Sequence, residues 1–134
     1  MPKVSRDSAT KAEEVGPVRD RYEVLDGYSV NFTVFDEDID ATPLLRGLPD
    51  DQCQCPHWGY VFRGSMTVRV GDRDEVYHAG DAFYTPPGHT PLKHQADTEV
   101  IMFSPEKELR RTGAAVRRNA EAEAMHVRTS EQET

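Results

Sequence analysis

Two cysteines and a histidine occupy alternate positions in the stretch Cys53-Gln-Cys55-Pro-His57, directly before a run of strand-forming residues. Thiolates and imidazoles are the donors that Zn²⁺ prefers, and paired thiols can also carry out redox chemistry. Cysteine is also among the residues most often buried as a small apolar group. The residue types therefore leave three interpretations open: a metal site, a redox pair, or the start of a buried strand.

The composition narrows the class of protein. The 134 residues include 16 Lys and Arg against 24 Asp and Glu, which gives a net charge of -8 and argues against nucleic acid or an anionic membrane as a partner. No apolar run approaches the roughly 20 residues that span a bilayer, and the first residues lack the apolar segment of an export signal. Two cysteines so close together are poorly placed for a disulfide. We therefore expect a cytoplasmic protein with reduced thiols.

The middle of the chain has the pattern of an all-β fold. From Tyr22 onwards apolar and polar residues alternate around a turn signal, Asp26-Gly27, which predicts two strands with a tight turn. Between residues 58 and 105, short runs rich in Val, Tyr, Phe and Thr are separated by Gly, Pro or Asp, as in a sandwich or barrel. The acidic, proline-containing segment 36–52 predicts a long connection across the end of a sheet.

The two ends of the chain differ from this middle. Residues 1–18 are polar without an apolar period, which predicts a flexible tail before a barrel over residues 19–105. Residues 106–134 are rich in Glu, Arg and Ala, but they lack a clear apolar stripe and contain Gly113. This composition predicts a helical or disordered C-terminal segment.

Two motifs resemble those of a known family. Gly80, Pro86 and Gly88 have the spacing of the second motif of the small single-domain cupins, and the stretch from His57 to Gly64 is similar to the end of their first motif. The resemblance covers about residues 22–105 and is to cupins of the conserved-barrel type. It implies a double-stranded β-helix jelly-roll barrel, often dimeric, in a family that includes dioxygenases, isomerases and lyases. A shared fold does not select among those activities.

The family's metal ligands are two histidines and a glutamate in the first motif and a histidine in the second. On this chain the glutamate position is His57. With a three-residue gap the histidine positions are Asp51 and Cys53, and with a four-residue gap they are Asp50 and Gln52. The second-motif histidine position is Pro91, but His89 lies two residues before it, on the same face of a regular strand. The resemblance therefore implies a metal site with non-standard ligands.

Alternation suggests which side chains would form that site. If residues 51–57 are extended, Cys53, Cys55 and His57 share one face with Asp51, and the family register turns that face into the barrel, where His89 joins it. The predicted metal ligands are Cys53, Cys55, His57 and His89. Two thiolates and two imidazoles suit a divalent ion, Zn²⁺ above all, with iron or copper as alternatives. Only three of these residues could bind, or Asp51 could take part.

The predicted function is a small metal-binding cupin with a pocket for a small molecule, and a metal-dependent enzyme if a coordination position stays open. Four protein ligands would instead close the site. The alternative is a non-catalytic binding or sensing module, metal-free or with a closed metal site, and a thiol-redox role is a third hypothesis. Phe83, Thr85 and Met102 are predicted to line the pocket.

Surface residues suggest a further partner. Trp58 and Tyr60 alternate with His57, so they are predicted to face outwards, where together with the family resemblance they favour a homodimer. The alternative for Trp58 is that the N-terminal strands cover it. The parity of His94 is opposite to that of His89, so His94 is expected to be exposed, as is His78. The leucines of segment 43–48 are expected to cover one mouth of the barrel.

Overall fold

The computed structural model describes residues 2–132, with side chains through residue 122, and contains ten strands and a C-terminal helix in that part of the chain. Two short 3-10 turns, Thr42–Leu45 and Pro49–Asp51, lie in the connection between the fourth and fifth strands. The elements are β1 (Lys11–Val15), β2 (Val18–Leu25), β3 (Tyr28–Phe35), β4 (Ile39–Asp40), β5 (His57–Arg63), β6 (Ser65–Val70), β7 (Arg73–His78), β8 (Ala82–Thr85), β9 (His89–His94), β10 (Thr98–Pro105) and α1 (Glu106–Gln132).

The strands form two antiparallel sheets that face each other. The larger sheet has the order β1-β2-β3-β10-β5-β8, and the smaller one has the order β4-β9-β6-β7. Val61 and Val100 from the larger sheet and Met66 from the smaller one form a buried cluster with Phe35 and Phe83. The predicted all-β jelly-roll barrel is confirmed.

Turn chemistry sets the strand pairing. Asp26 and Gly27 both have positive φ, 49° and 81°, as a two-residue hairpin turn requires, and they align β2 with β3 from Leu25↔Tyr28 onwards. Gly64, between β5 and β6, has φ 81°, and a Cβ there would lie 2.8 Å from the Cα of Thr98. A side chain at this turn would therefore force β10 away from β5.

The N-terminal segment differs from the flexible tail expected over residues 1–18. Lys11–Val15 form the edge strand β1, which pairs along its whole length with β2 through the turn at Gly16-Pro17. The strand is charged and mostly exposed, which protects a sheet edge against pairing with other chains. The same charges mean that the sequence lacks the alternating apolar residues from which a strand is predicted. The turn dipeptide Gly-Pro was the available sign of a hairpin.

A bulge in β9 overturns the expectation that His94 is exposed. Val68 pairs with Pro91 whereas Met66 pairs with His94, so β9 carries one extra residue over this interval. Because an extra residue reverses the alternation of side chains beyond it, His94 faces the same side as His89 and is buried. His78 is exposed, as predicted.

Helix α1 lies across one mouth of the barrel, against the 3-10 turn Thr42–Leu45. Leu109 and Val116 pack on the buried cluster of Leu45, Cys53 and Cys55. The side-chain amide of Asn119 donates hydrogen bonds to the carbonyl oxygens of residues 44 and 46, each at 2.8 Å. The leucines of segment 43–48 and the helix together cover this mouth, which agrees with the expectation for the segment. Within residues 2–132, none of the helices combines the length and hydropathy that crossing a membrane requires.

Candidate metal centre

Backbone pairing places Cys53 beside His89. Cys53 lies in the connection before β5, and its N–H donates to the His89 carbonyl at 2.8 Å, while its own carbonyl accepts from the N–H of Gly88 at 2.9 Å. This isolated bridge joins the connection to the first residue of β9. Both side chains are 2% exposed. The two residues are thus held next to each other by the main chain, independently of any ion.

His57 reaches the same place from the first position of β5. One donor atom from each of Cys53, His57 and His89 lies within 4.8 Å of the others. The Cys53 Sγ to His57 Nε2 distance is 3.6 Å, and a tetrahedral zinc with bonds of about 2.3 Å to sulfur and about 2.1 Å to nitrogen separates those atoms by about 3.6 Å. The spacing of the pair therefore fits a shared ion.

Hydrogen bonds orient the two imidazoles. Nδ1 of His89 donates to the carbonyl of Pro86 at 2.6 Å, and Nδ1 of His57 is 2.6 Å from the hydroxyl of Ser104. A metal-binding histidine usually uses its second ring nitrogen in this way, which fixes the ring and the tautomer. In His89 the bond to a carbonyl requires the proton on Nδ1, so Nε2 is left with a free lone pair.

Burial sets the protonation states of the group. It lowers the pKa of His57 to about 3, with a smaller contribution from the neighbouring His89, and it also lowers the pKa of His89. Both rings are therefore neutral near pH 7, the form that binds a metal. Burial raises the pKa of the Cys53 thiol. In the absence of a cation this sulfur keeps its proton, and a bound divalent ion would displace it.

Cys55 does not join the three donors. Its Sγ lies 3.5 Å from the carbonyl oxygen of Pro56 and 3.9 Å from that of Pro105, and its side chain is fully buried under helix α1. Burial, and then the neighbouring Cys53 and Glu108, raise the pKa of the Cys55 thiol to about 12. Cys55 thus has the surroundings of a structural cysteine. Asp51, the other alternative, is exposed and accepts a hydrogen bond from the N–H of Gly47.

The donor group opens onto a cavity of about 240 Å³ inside the barrel. Its walls are mostly apolar, and Thr112 of helix α1 closes it near the cysteine, with the hydroxyl 3.6 Å from Cys53 Sγ. Phe83, Thr85 and Met102 line the cavity, as predicted. A few polar groups among apolar walls are typical of a site for a small molecule.

Comparison with known proteins agrees with this geometry. Residues 53–103 match the model of the Cupin domain family. The chain has the fold of the small cupins. None of the curated proteins compared with it matches in sequence. The match begins at Cys53 and ends at Phe103, so it contains all three donors and the strands that carry them.

Solved structures share this fold at low sequence identity. The polyketide cyclase RemF from Streptomyces resistomycificus has a TM-score of 0.56 at 19% identity, over 78% of this chain and 79% of that one. An RmlC-like cupin from Shewanella frigidimarina has a TM-score of 0.50 at 20% identity, over 72% and 84% of the two chains. The ectoine synthase from P. lautus has a TM-score of 0.54 at 12% identity, over 78% of each chain.

The barrel cavity also contains polar side chains that the sequence analysis did not select. Asp20 and Asn31 reach it from β2 and β3, and His94 reaches it from β9. Asp20 and Asn31 lie at polar positions of alternating strands, a pattern that usually indicates the solvent-exposed face. His94 was predicted to be exposed, and this prediction was wrong. The polar alternation in β3, opposite to the apolar Val30 and Val34, was the signal that could have indicated a polar wall inside the barrel.

Proposed function

We propose that this cupin is a metal-dependent enzyme that acts on a small, mostly apolar molecule bound in the barrel cavity. The observation that carries the proposal is the convergence of Cys53, His57 and His89, three oriented donors on the wall of that cavity. Three protein ligands with an open position towards a pocket are typical of catalytic rather than structural zinc sites. A bound divalent ion would supply Lewis-acid polarisation of a ligand oxygen.

The donor set favours zinc. One thiolate and two neutral imidazoles are ligands of borderline to soft character, which suit Zn²⁺ and also admit iron or copper. Hard cations such as Mg²⁺ and Ca²⁺ prefer carboxylate and carbonyl oxygens, and none of the three donors is an oxygen. We therefore propose zinc as the metal. We propose three protein ligands, Cys53, His57 and His89, in place of the predicted four-ligand set that included Cys55.

The two alternative roles have less support. A closed sensory site would need a fourth protein ligand, and Cys55 is directed at backbone carbonyls rather than at the other donors. A thiol-redox role would need an accessible thiolate, whereas burial raises the pKa of both thiols. By their names, two of the proteins with the same fold are a cyclase and a synthase, which is compatible with an enzymatic role here.

We also propose that the cupin forms a homodimer in the cytoplasm. The larger sheet presents half-exposed aromatic side chains, and ring contacts link Trp58 to Tyr84 at 4.9 Å and to Tyr28 at 6.5 Å. A contiguous apolar face of this kind is costly to leave in water, and a flat sheet can pair with its own copy across a twofold axis. The cytoplasmic location stays a prediction, based on the two unpaired thiols.

Metal analysis of matched variants tests the proposed site. Wild type should contain about one equivalent of zinc, and Cys53→Ala or His89→Ala should weaken zinc affinity by at least about 10-fold, because each removes a direct ligand. The matched controls are Cys55→Ala and His94→Asn, two further buried residues of the same types outside the donor group. Both controls should retain zinc.

Cobalt substitution adds a readout that does not depend on affinity. A Co²⁺-loaded protein with one cysteine ligand should show a thiolate-to-cobalt charge-transfer band, which should persist in Cys55→Ala and disappear in Cys53→Ala. Equal loss of the band in the two variants would rule out the three-donor site, and so would a wild type holding well under one equivalent of metal.

A further inference from the structure

A second cavity of about 410 Å³ lies beneath helix α1, outside the metal centre. Its walls come from the inward faces of β1 and β2 and from the first half of the helix, with Val15, Val24 and Leu109 among the apolar residues. The charges at its rim are paired with one another: Arg117 donates to Glu13 at 2.8 Å, and Arg110 pairs with Glu106. The rim is therefore polar, and the interior suits an aliphatic group.

This cavity adjoins the barrel cavity along a common wall. The residues that line both are Val18, Asp20, Asn31, Leu44, Leu109 and Val116. Pockets for small molecules usually measure about 300–1,000 Å³, so the barrel cavity, at about 240 Å³, is small for a substrate by itself. The two cavities taken together fall within that range.

Asp20 is the single carboxylate of the common wall, and its neighbours hold it in one orientation. Asn31 Nδ2 donates to Oδ2 at 2.7 Å, and Thr33 Oγ1 donates to Oδ1 at 3.2 Å. Asn31 is fixed in turn by the hydroxyl of Ser29, which donates to its Oδ1 at 2.7 Å. A carboxylate has about four lone-pair positions, so Asp20 retains capacity to accept a bond from a ligand.

Desolvation raises the pKa of Asp20 to about 6. The hydrogen bonds from Asn31 and Thr33 lower this pKa in part, and the nearby charge of Glu13 raises it slightly. Above pH 7 the group is mainly a carboxylate. The other charged or titratable residues lining the two cavities are Lys11, Glu13, Tyr22, Cys53, His57, His89, His94, Glu106, Arg110 and Arg117.

We propose that the two cavities form one divided binding site for an aryl alkyl alcohol or a related enol. The aromatic ring occupies the barrel, the aliphatic chain lies under α1, and the hydroxyl between them donates to Asp20. The barrel part has Phe35 and Phe83 among aliphatic wall residues, and the part under the helix has mostly branched aliphatic walls with one aromatic residue, Tyr22. This inference rests on the barrel being a ligand site, as proposed above, and it defines the class of ligand.

Binding of three simple probes tests the divided site at pH 7.5, by equilibrium dialysis with mass-spectrometric detection. The probes are methyl phenyl carbinol, heptyl phenyl carbinol and octylbenzene, which has as many carbons as the heptyl probe but no hydroxyl. Six additional methylenes buried under α1 should make the heptyl probe bind at least about 30-fold more tightly than the methyl probe.

Two variants separate the parts of the site. Val24→Trp fills only the cavity under the helix, so it should weaken the heptyl probe by about 10-fold and leave the methyl probe within about two-fold. Asp20→Leu should weaken the heptyl carbinol by about 10-fold and spare octylbenzene, while Asp20→Asn, which keeps an acceptor oxygen, should retain more of the affinity. Val76→Trp, at an exposed position on β7, is the control for the added indole.

Each outcome bears on the proposal. Equal affinity of wild type for the two carbinols would overturn it, as would equal weakening of both by Val24→Trp, or equal weakening of carbinol and hydrocarbon by Asp20→Leu. All measurements are made with and without zinc. Selective binding without bound zinc would support the divided site even if the metal centre failed its own test, whereas zinc binding with no chain-length preference would overturn the divided site alone.

Discussion

At the scale of single residues, the two histidine rings of the donor group are oriented by hydrogen bonds. Each ring uses Nδ1 for this bond, on the side of the ring away from Nε2. The carbonyl of Pro86 accepts from Nδ1 of His89, and the hydroxyl of Ser104 lies 2.6 Å from Nδ1 of His57, which leaves Nε2 of each ring as the candidate donor atom. Burial then keeps both rings neutral. If this group binds a metal as proposed, its orientation in advance means that little side-chain entropy would be lost on binding.

Among the described residues, His94 is the buried side chain that lacks a hydrogen-bond partner for one of its polar atoms. Its Nδ1 has no hydrogen-bond partner among the described residues, and its ring packs on Phe35 with centroids 4.8 Å apart. Burial lowers its pKa to about 4, against a smaller raising effect of the Lys93 backbone. In the unfolded chain His94 takes up a proton near its usual pKa of 6.5, so its contribution to stability is present above that pH and is lost as the pH falls towards 4.

We therefore expect His94→Phe to make the protein less sensitive to acid. Between pH 7 and pH 4.5 the wild type should lose about 2.5 kcal/mol more unfolding free energy than the variant, measured by urea denaturation at both pH values. His78→Phe, at an exposed position, is the control and should follow the wild type. The same pH dependence in all three proteins would show that His94 is not held neutral by burial.

At the scale of elements, the site depends on the connection before β5 and on helix α1 as much as on the barrel strands. The bridge between Cys53 and His89 attaches the connection to β9, and Leu109, Thr112 and Val116 of the helix cover the cysteine. Spacing of three or four residues puts these side chains on one face of the helix, a short stripe within an otherwise charged segment. The helix consequently controls access to the donors.

Asn119 should decide how firmly that helix closes the mouth. Asn119→Ala removes both hydrogen bonds to the carbonyls of residues 44 and 46, which should destabilise the closed helix by about 1–2 kcal/mol. Amide hydrogen exchange of residues 109–119 and reaction of Cys53 with a thiol reagent should both become faster. Glu121→Ala, an exposed change on the same helix, should alter neither. Unchanged exchange in Asn119→Ala would contradict the anchoring role.

At the scale of the whole molecule, the two sheets have different surroundings. The larger sheet carries most of the exposed aromatic side chains, and Trp58 at 44% and Tyr84 at 48% exposure lie in contact on β5 and the edge strand β8. Aromatic residues in such a position are typical of the buried core of an interface. The smaller sheet has charged residues on β6 and β7 that pair within the chain, such as Arg69 with Asp74.

The proposed homodimer predicts a specific response to charge on this face. Trp58→Asp should raise the dimer dissociation constant by about 100-fold or more, because it places an unpaired carboxylate in the centre of the interface. Light scattering coupled to size-exclusion chromatography measures the effect. Val76→Asp, an equally exposed apolar position at 45%, should leave the dimer intact. A wild type that stays monomeric at every concentration, or equal dissociation of both variants, would contradict this arrangement.

The sequence by itself determined the barrel, because its signals are local. Alternation, the Asp26-Gly27 turn and the glycine and proline spacing from Gly80 to Gly88 act within a few residues of one another, and they led to the correct fold. The same alternation selected Cys53, His57 and His89, which the structure brings together. It also placed Cys55 on the same face, where Pro56 interrupts the extended backbone and the regular alternation ends.

Only the tertiary structure decided which polar groups share the cavity. A one-residue bulge in β9 turned His94 inwards, β1 joined the sheet without an apolar signal, and the pairing of β2 with β3 placed Asp20 beside Asn31. These outcomes depend on contacts between residues far apart in the chain. The free energies of such pairing and burial cannot be predicted from a local sequence pattern. The sequence could therefore select three residues that the structure brings together as candidate metal donors, whereas the second cavity and its carboxylate exist only once helix α1 has packed across the barrel.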